Sequence, residues 1–429
     1  MTGVTEANAV DLMAANDATP NRGYVLTLLA SAYLLNYFDR SIVNVLLDTI
    51  KADLRLSDTA IGFIAGLGFA LLYTILGIPL ARLADRHGRK SMVVVGLGLW
   101  SVMTAMGGAA TSGLQLAIAR TGVGIGEAAG TAPSVAMIAE FFSKNERPRA
   151  LSLLNIGMPL GILAGIMFGG IANQWVGWRV ALLVAGVPGL VVAALLQFTV
   201  PERKSGPADL AGKGPGVKSA LRLLAARRSY MRCIAGSFFS GFALNALFVW
   251  TPSLFRRVYH LAPSQIGMSV GLSLGLCGAL GCYAGGIFVS RVGSRDDRWK
   301  AGQPALACLL ALPFLITMLL VHDTRVALAC LCAGSFLLLS LLGPLYSVYQ
   351  SVVPPSTRAF ATAIHNFLGT IGGLGLGSLL VGMASDHLSA RYGDETLRYA
   401  LLLPMALLIP AGLLYASATI TIRSEIVDE

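Results

Sequence analysis

Residues 81–90 read ARLADRHGRK, a charged decapeptide set between two long apolar runs. Residues 286–295 read GIFVSRVGSR and follow another apolar run. Aligned without gaps, Arg86 matches Arg291 and Gly88 matches Gly293, while Ser290 stands where Asp85 stands. Charged residues collect where a chain leaves a hydrocarbon layer, turns and re-enters it. Two such turns with matching residues mark corresponding points in two halves of a repeat, an arrangement known among membrane transporters.

The composition agrees with a chain that crosses a membrane many times. Of 429 residues, 55% are hydrophobic and 13% charged, and the mean hydropathy is +0.70. A soluble domain carries about 25% charged residues. A spanning helix needs about 20 apolar residues to cross a hydrocarbon core of about 30 Å. The apolar runs predict twelve spans, near 22–47, 58–83, 91–111, 115–141, 150–172, 178–200, 229–254, 265–290, 302–321, 325–352, 359–384 and 397–420. The longest polar stretch, Pro201–Ser229, is rich in Gly, Pro and basic residues and divides the spans six and six. The expected organisation is a tail (1–21), a six-helix bundle (22–200), a linker (201–228), a second six-helix bundle (229–420) and a tail (421–429).

The formal net charge is +10. With the N-terminus placed in the cytoplasm, 22 of the 32 Lys and Arg residues fall in cytoplasmic tails and loops and 8 on the opposite side. That bias predicts both termini in the cytoplasm. It also accounts for most of the basic excess without a nucleic-acid partner. Arg40 and Arg120 are left over, and both lie inside spans.

Other classes find little support. The first twenty residues carry acids and no basic n-region, so they read as a disordered tail and not a secretory signal. The six cysteines lie inside apolar runs of the second half and behave as small hydrophobes; Cys330 and Cys332 have no partners at zinc spacing. GPADLAGKG (206–214) misses the phosphate-loop pattern by one residue of spacing and by Gly after the Lys. GVGIG (122–126) lies inside a span, where no dinucleotide loop forms. Neither HExxH nor GxSxG occurs. The expectation is therefore not an enzyme, with no cofactor, and transport driven by a gradient.

ARLADRHGRK resembles the loop signature of the major facilitator superfamily, with Ala81 in place of its leading Gly. RTGVGIGEA (120–128) in the fourth span is similar to the family's second motif. With twelve spans, a central linker and the degenerate second loop, the resemblance covers essentially the whole chain. It implies an all-α integral membrane protein with the major facilitator fold, twelve transmembrane helices in two pseudo-symmetric six-helix bundles. NYFDR in the first span, RTGVGIGEA, and NERPRALSLLNIGMPLG leading into the fifth resemble the spinster branch. Relatives there carry sphingolipids or lysophospholipids, and several are proton-coupled. The resemblance therefore implies a lipid-like substrate moved by alternating access coupled to protons, a monomer, and a bacterial inner (plasma) membrane. NYFDR-like strings also occur in organic-anion symporters of the superfamily, so a proton-coupled organic-anion or drug transporter is the alternative.

Four charges sit at membrane depth: Asp39, Arg40, Arg120 and Glu127. Each costs about 2.5–3.5 kcal/mol at a helix centre unless paired or hydrated. Fixed ion pairs gluing helices together would explain them; so would a working site. Asp39 lies about 25 Å from the start of its helix, and Arg120 about 8 Å below the opposite surface, so their depths nearly match. Arg120, Gly124 and Glu127 share one helical face. Asp39 and Arg40 point about 100° apart and must address different partners. The expectation is that Asp39 faces the cavity or Arg120, and that Arg40 reaches Glu127 in at least one conformation. Burial favours a neutral carboxyl and a nearby arginine a charged one. A carboxylate whose arginine leaves and returns would thus bind and release a proton. Asp39 and Glu127 are the expected proton-coupling residues, with Arg40 and Arg120 as charge partners or headgroup ligands.

By resemblance, Arg82, Asp85, Arg86, Arg89 and Lys90 form a cytoplasmic latch between the second and eleventh helices. For the basic residues alone, topology is the plainer reading. Asn36, Asn245, Tyr346, His365 and Asn366 are expected polar residues of the cavity. A cavity charged on one half and apolar on the other suits an amphiphile. Gly157, Gly161, Gly165 and Gly169, spaced by four, allow close helix approach and are expected at a seam between the halves.

Overall fold

In the computed structural model, residues 21–143, 146–202 and 216–427 are described. The expected N-terminal tail, and residues 203–215 of the linker with GPADLAGKG, lie outside the described residues.

Twelve helical segments account for the spans. They are α1 (Arg22–Leu54), α2 (58–87), α3 (Arg89–Gly108), α4 (Gly113–Phe141), α5 (Arg147–Trp175), α6 (Gly177–Thr199), α7 (Arg228–Arg257), α8 (Pro263–Arg291), α9 (Arg298–Leu320), α10 (Thr324–Ser351), α11 (358–392) and α12 (396–425). A short helix, Val217–Ala225, precedes α7. By length and composition, α1 and α4 are not among the helices apolar enough to cross a membrane. These are the two that hold Asp39, Arg40, Arg120 and Glu127, which depress their hydropathy. Large side chains such as Phe198 (85% exposed), Ile420 (78%) and Leu114 (72%) stand on the outside of the bundle, where only hydrocarbon would accept them.

α1 runs seven residues past the apolar pattern that predicts its end at 47. The extension carries Asp48, Lys51 and Asp53 to the surface opposite the termini, and the chain turns at Arg55 in a left-handed conformation.

The glycine stripe of α5 lies elsewhere than expected. A Cβ on Gly157, Gly161 or Gly165 would meet backbone of Leu34 or Phe38, and one on Gly169 would meet Ile42. The stripe therefore seats α5 on α1 within the first half, not between the halves. Gly373 and Gly377 of α11 do the same against Gly241 and Phe242 of α7, the pseudo-symmetric pair. Gly165→Leu is expected to destabilise the first bundle by about 3 kcal/mol through overpacking. An unchanged thermal midpoint in detergent would show that the interface yields.

The halves meet along two other seams. In one, Gly62 and Gly66 of α2 lie against Ser378 and Leu374 of α11. In the other, Gly267 and Gly275 of α8 lie against Ile166, Met167 and Leu163 of α5. Three of these four helices widen into π-helical turns near the contact: Phe63–Leu67, Leu272–Cys277 and Gly369–Gly377. Such turns recur at functional sites.

Polar links between the halves occur at the end opposite the termini. Arg257 Nη1 and Nη2 donate to Asp58 at 2.7 and 2.8 Å, and its Nε donates to Asp48 at 2.8 Å. Lys51 Nζ and Ser385 Oγ also donate to Asp58. Asp386 accepts from the amides of Asp58 and Thr59 and from the Thr59 hydroxyl, at 2.9, 2.8 and 2.6 Å, so a carboxylate of α11 caps the start of α2. Asn44 Nδ2 reaches the Phe248 carbonyl at 3.3 Å. At the terminus-bearing end, the hydrogen bonds and ion pairs among the described residues stay within one half. The links between the halves seal the end opposite the termini.

Candidate functional site

The membrane-depth charges converge in the first half. Arg40 Nε donates to Glu127 Oε2 at 2.7 Å and Nη2 lies 2.5 Å from the same oxygen. The Glu127 side chain is 0% exposed and that of Arg40 21%. The Arg40 guanidinium stands 4.8 Å from the ring centres of both Phe69 and Tyr73 and 5.3 Å from that of Tyr37. One ion pair and three rings thus hold a cation whose edge remains accessible.

Asp39 and Arg120 lie in the same buried cluster without touching. Asp39 Oδ2 accepts from Thr104 Oγ1 at 3.2 Å. Arg120 packs over Phe69, 5.6 Å from its centre. Asp39 Oδ1, Glu127 Oε1, and Arg120 Nε and Nη1 are all buried without a hydrogen-bond partner among the described residues. Such orphaned groups are expensive in a low-dielectric interior. They therefore mark a place where water, a proton or a rearranged partner completes the set. Gly124 makes the packing possible: a Cβ there would lie 2.8 Å from the Phe69 carbonyl oxygen. Asn36, one turn before Arg40, is buried as well. Among the described residues, no group of three or more His, Cys, Asp or Glu is placed to hold a metal ion.

The second half offers hydroxyls where the first offers charges. Tyr346 donates to Asn366 Oδ1 at 3.1 Å. The His365 Nδ1 lies 3.2 Å from the Tyr349 hydroxyl, which lies 2.7 Å from Ser237 Oγ. Tyr415 donates to Ser237 at 3.2 Å and lies 2.9 Å from Ser240. Asn245 bonds its own helix at the Gly241 carbonyl.

The loop residues work within their own half in this conformer. Arg89 donates to Asp85 Oδ1 at 3.2 Å and to Glu140 at 2.6 Å. Lys90 Nζ donates to the carbonyls of Gln197 and Val200, and Glu202 caps α3 through the amides of Lys90 and Ser91. Gly88, with φ +105°, makes the tight turn between α2 and α3. Arg82 and Arg86 are exposed, and neither they nor Asp85 contacts α11 through a hydrogen bond or ion pair among the described residues.

Thr104, Tyr37, Phe69 and Tyr73 are absent from the residues expected on sequence grounds, as are Ser237, Ser240 and Tyr415. Aromatic and hydroxyl side chains are common in spans, and only the fold shows which of them reach a charge.

The model of the Major Facilitator Superfamily matches residues 29–376. An MFS-type efflux pump of Mycolicibacterium smegmatis is 34% identical, over 98% of each chain. The sphingosine-1-phosphate transporter SPNS2 of Danio rerio is 26% identical, over 92% of this chain and 83% of its own. A crystal structure of a bacterial homolog to the human lysosomal transporter Spinster, inward-facing and unoccupied, superposes with a TM-score of 0.83. It is 25% identical and covers 95% of this chain and 98% of that one.

Proposed function

The chain belongs to the Major Facilitator Superfamily, and from that premise we propose that this multi-pass membrane transporter moves an amphiphilic, lipid-like substrate of the sphingolipid or lysophospholipid class by proton-coupled alternating access. The observation that carries the reading is the Arg40–Glu127 pair, ringed by Tyr37, Phe69 and Tyr73, with 21% of the Arg40 side chain still accessible. A proton arriving on Glu127 removes the charge that holds Arg40 and frees its N–H groups for a phosphate or carboxylate headgroup. Asp39, held by the Thr104 hydroxyl, and Arg120, whose Nε and Nη1 have no hydrogen-bond partner among the described residues, take up the charge that Arg40 gives up. The substrate tail lies against the uncharged second half, with Tyr346 and Asn366 opposite the headgroup. Arg82, Asp85, Arg86, Arg89 and Lys90 latch the terminus-bearing end in the alternate state. The excess of basic residues at that end supports a cytoplasmic location for both termini and insertion in a bacterial inner membrane. The carrier acts as a monomer.

An organic-anion or drug transporter is the second reading, since a partly accessible arginine among aromatic rings also suits a compact anion and the 34% identical relative is an efflux pump. Flux in proteoliposomes under an imposed pH gradient tests both. A lysophospholipid and a sphingoid phosphate are offered in parallel with a small organic anion. Gradient-driven lipid movement, reduced about a hundredfold by both Asp39→Asn and Glu127→Gln, is expected. Anion movement without lipid movement selects the second reading. Flux indifferent to the gradient rejects proton coupling.

A further inference from the structure

On the bilayer-facing side of the second half, remote from the charge cluster, α8, α9 and α10 leave a groove of 360 Å³. Trp299, Gln303, Leu306 and Leu310 line it from one face of α9, with Phe288 and Leu337 opposite. The groove begins at Trp299, in the first turn of α9 at the terminus-bearing surface, and reaches Leu310 about 16 Å deeper. That is the depth of one leaflet of a core of about 30 Å. Leu306 and Leu310 are 47% and 52% exposed to the outside. Phe288 and Trp299 meet edge to face, 5.7 Å between ring centres, and wall the entrance. Gln303 Nε2 donates to Ser340 Oγ, while its Oε1 is buried without a partner among the described residues.

Above the entrance lies the turn 292–297, flanked by Arg291 and Arg298 and carrying Arg295. Its two acids are engaged. Asp296 accepts from the Arg298 amide and pairs with Arg423 at 3.0 Å, contacts that hold its carboxyl below the usual carboxylate range. Asp297 pairs with Lys300 at 2.7 Å. The Arg291, Arg295 and Arg298 side chains are exposed, with no hydrogen bond or ion pair among the described residues. Three uncommitted cations therefore top an apolar slot one leaflet deep.

We propose that this groove is a resident site for an anionic phospholipid of the surrounding bilayer, phosphate on Arg291, Arg295 and Arg298 and one acyl chain along α9 past Trp299. The site is separate from the substrate path, and nothing in it depends on which substrate is carried. Basic pockets between spanning helices recognise anionic headgroups, each basic residue near the surface contributing about fivefold. A neutral phospholipid would fill the slot equally well and gain nothing from the arginines.

The full chain, purified in neutral detergent, is titrated with phosphatidylglycerol or phosphatidylcholine brominated on the acyl chain. The quenching lost in Trp299→Phe isolates the signal of Trp299. Phosphatidylglycerol is expected to half-quench that signal at about a hundredfold lower mole fraction than phosphatidylcholine. Arg291→Gln, Arg295→Gln and Arg298→Gln together, all on the exposed surface, are expected to abolish the preference, whereas Arg222→Gln leaves it intact. Equal quenching by the two lipids, or a preference that survives the triple variant, overturns the proposal. So does displacement of phosphatidylglycerol by inorganic phosphate, which would make the arginines a free-anion site.

Discussion

Glu127→Gln is expected to lower the thermal midpoint sharply, and Glu127→Gln combined with Arg40→Gln to recover much of the loss. Glu127 is fully buried and accepts two close contacts from one guanidinium. Removing one partner of a buried pair costs about 3–5 kcal/mol, because the other is left charged and unpaired; removing both costs far less. The Arg40 side chain keeps 21% of its surface accessible and lies over three rings, so the lower figure applies, about 3 kcal/mol. In any equilibrium that makes and breaks this pair, that is about two orders of magnitude. The check is a double-mutant cycle on thermal unfolding in detergent, with gradient-driven flux measured on the same four proteins. Additive losses, within about 0.5 kcal/mol, would show that the two side chains do not stabilise one another. Recovered stability with flux still absent would separate the structural role of the pair from its proposed role in the transport cycle.

The fold was legible because hydrocarbon thickness imposes a length on every span, and few alternatives survive that constraint. The repeat of ARLADRHGRK in GIFVSRVGSR required only alignment. Within the site, depth matched Asp39 with Arg120, which the structure places in one cluster without contact, while the reach of Arg40 to Glu127 followed from the divergence of Asp39 and Arg40 on their helix. Which aromatic rings surround Arg40 was not legible. Phe69 and Tyr73 sit in an apolar run where a ring is unremarkable, and their use follows from how Gly124 lets α2 approach α4. The glycine stripe of α5 shows the same limit. Small residues every four positions announce a close helix neighbour. They do not say whether that neighbour is α1 of the same half or α8 of the other.

Charges at helix ends were harder still. Asp48, Asp58, Arg257 and Asp386 lie near loops, where charged residues are ordinary, and no periodicity links positions so far apart in the chain. The structure joins them across the halves, in an arrangement that answers the terminus-end loop. There, Arg89 and Lys90 are engaged inside the first half, Arg82 and Arg86 are exposed, and no hydrogen bond or ion pair among the described residues joins Asp85 to α11. At the other end, Asp386 of α11 caps the start of α2 and Arg257 of α7 clamps Asp48 and Asp58. The same pair of helices, α2 and α11, is therefore engaged at one end while the loop expected to join them at the other is not.

Arg257→Gln is expected to shift the chain toward a form parted at the sealed end. The variant leaves Asp48 and Asp58 facing one another with Lys51 as the remaining cation beside them. Asp58 is buried, whereas Arg257 and Asp48 keep 16% and 18% of their side chains exposed. Solvent therefore screens part of the loss, and about 2–3 kcal/mol of the full penalty for a broken buried pair remains. That moves a two-state equilibrium by roughly 30- to 150-fold. Asp386→Asn acts on the cap of α2 and is expected to shift it less, by about fivefold to tenfold, because an amide still accepts one of the three hydrogen bonds. Spin labels at Ala109→Cys and His322→Cys, exposed positions in loops of opposite halves at the sealed end, report the separation once the native cysteines are replaced. A second, longer distance population should dominate in Arg257→Gln, appear as a minor component in Asp386→Asn, and be absent from Asp394→Asn, a neighbouring acid that takes no part in the links. A single short distance in all three would mean that the glycine seams between α2 and α11 and between α5 and α8 hold the end closed on their own. The charges would then be a consequence of closure and not its cause.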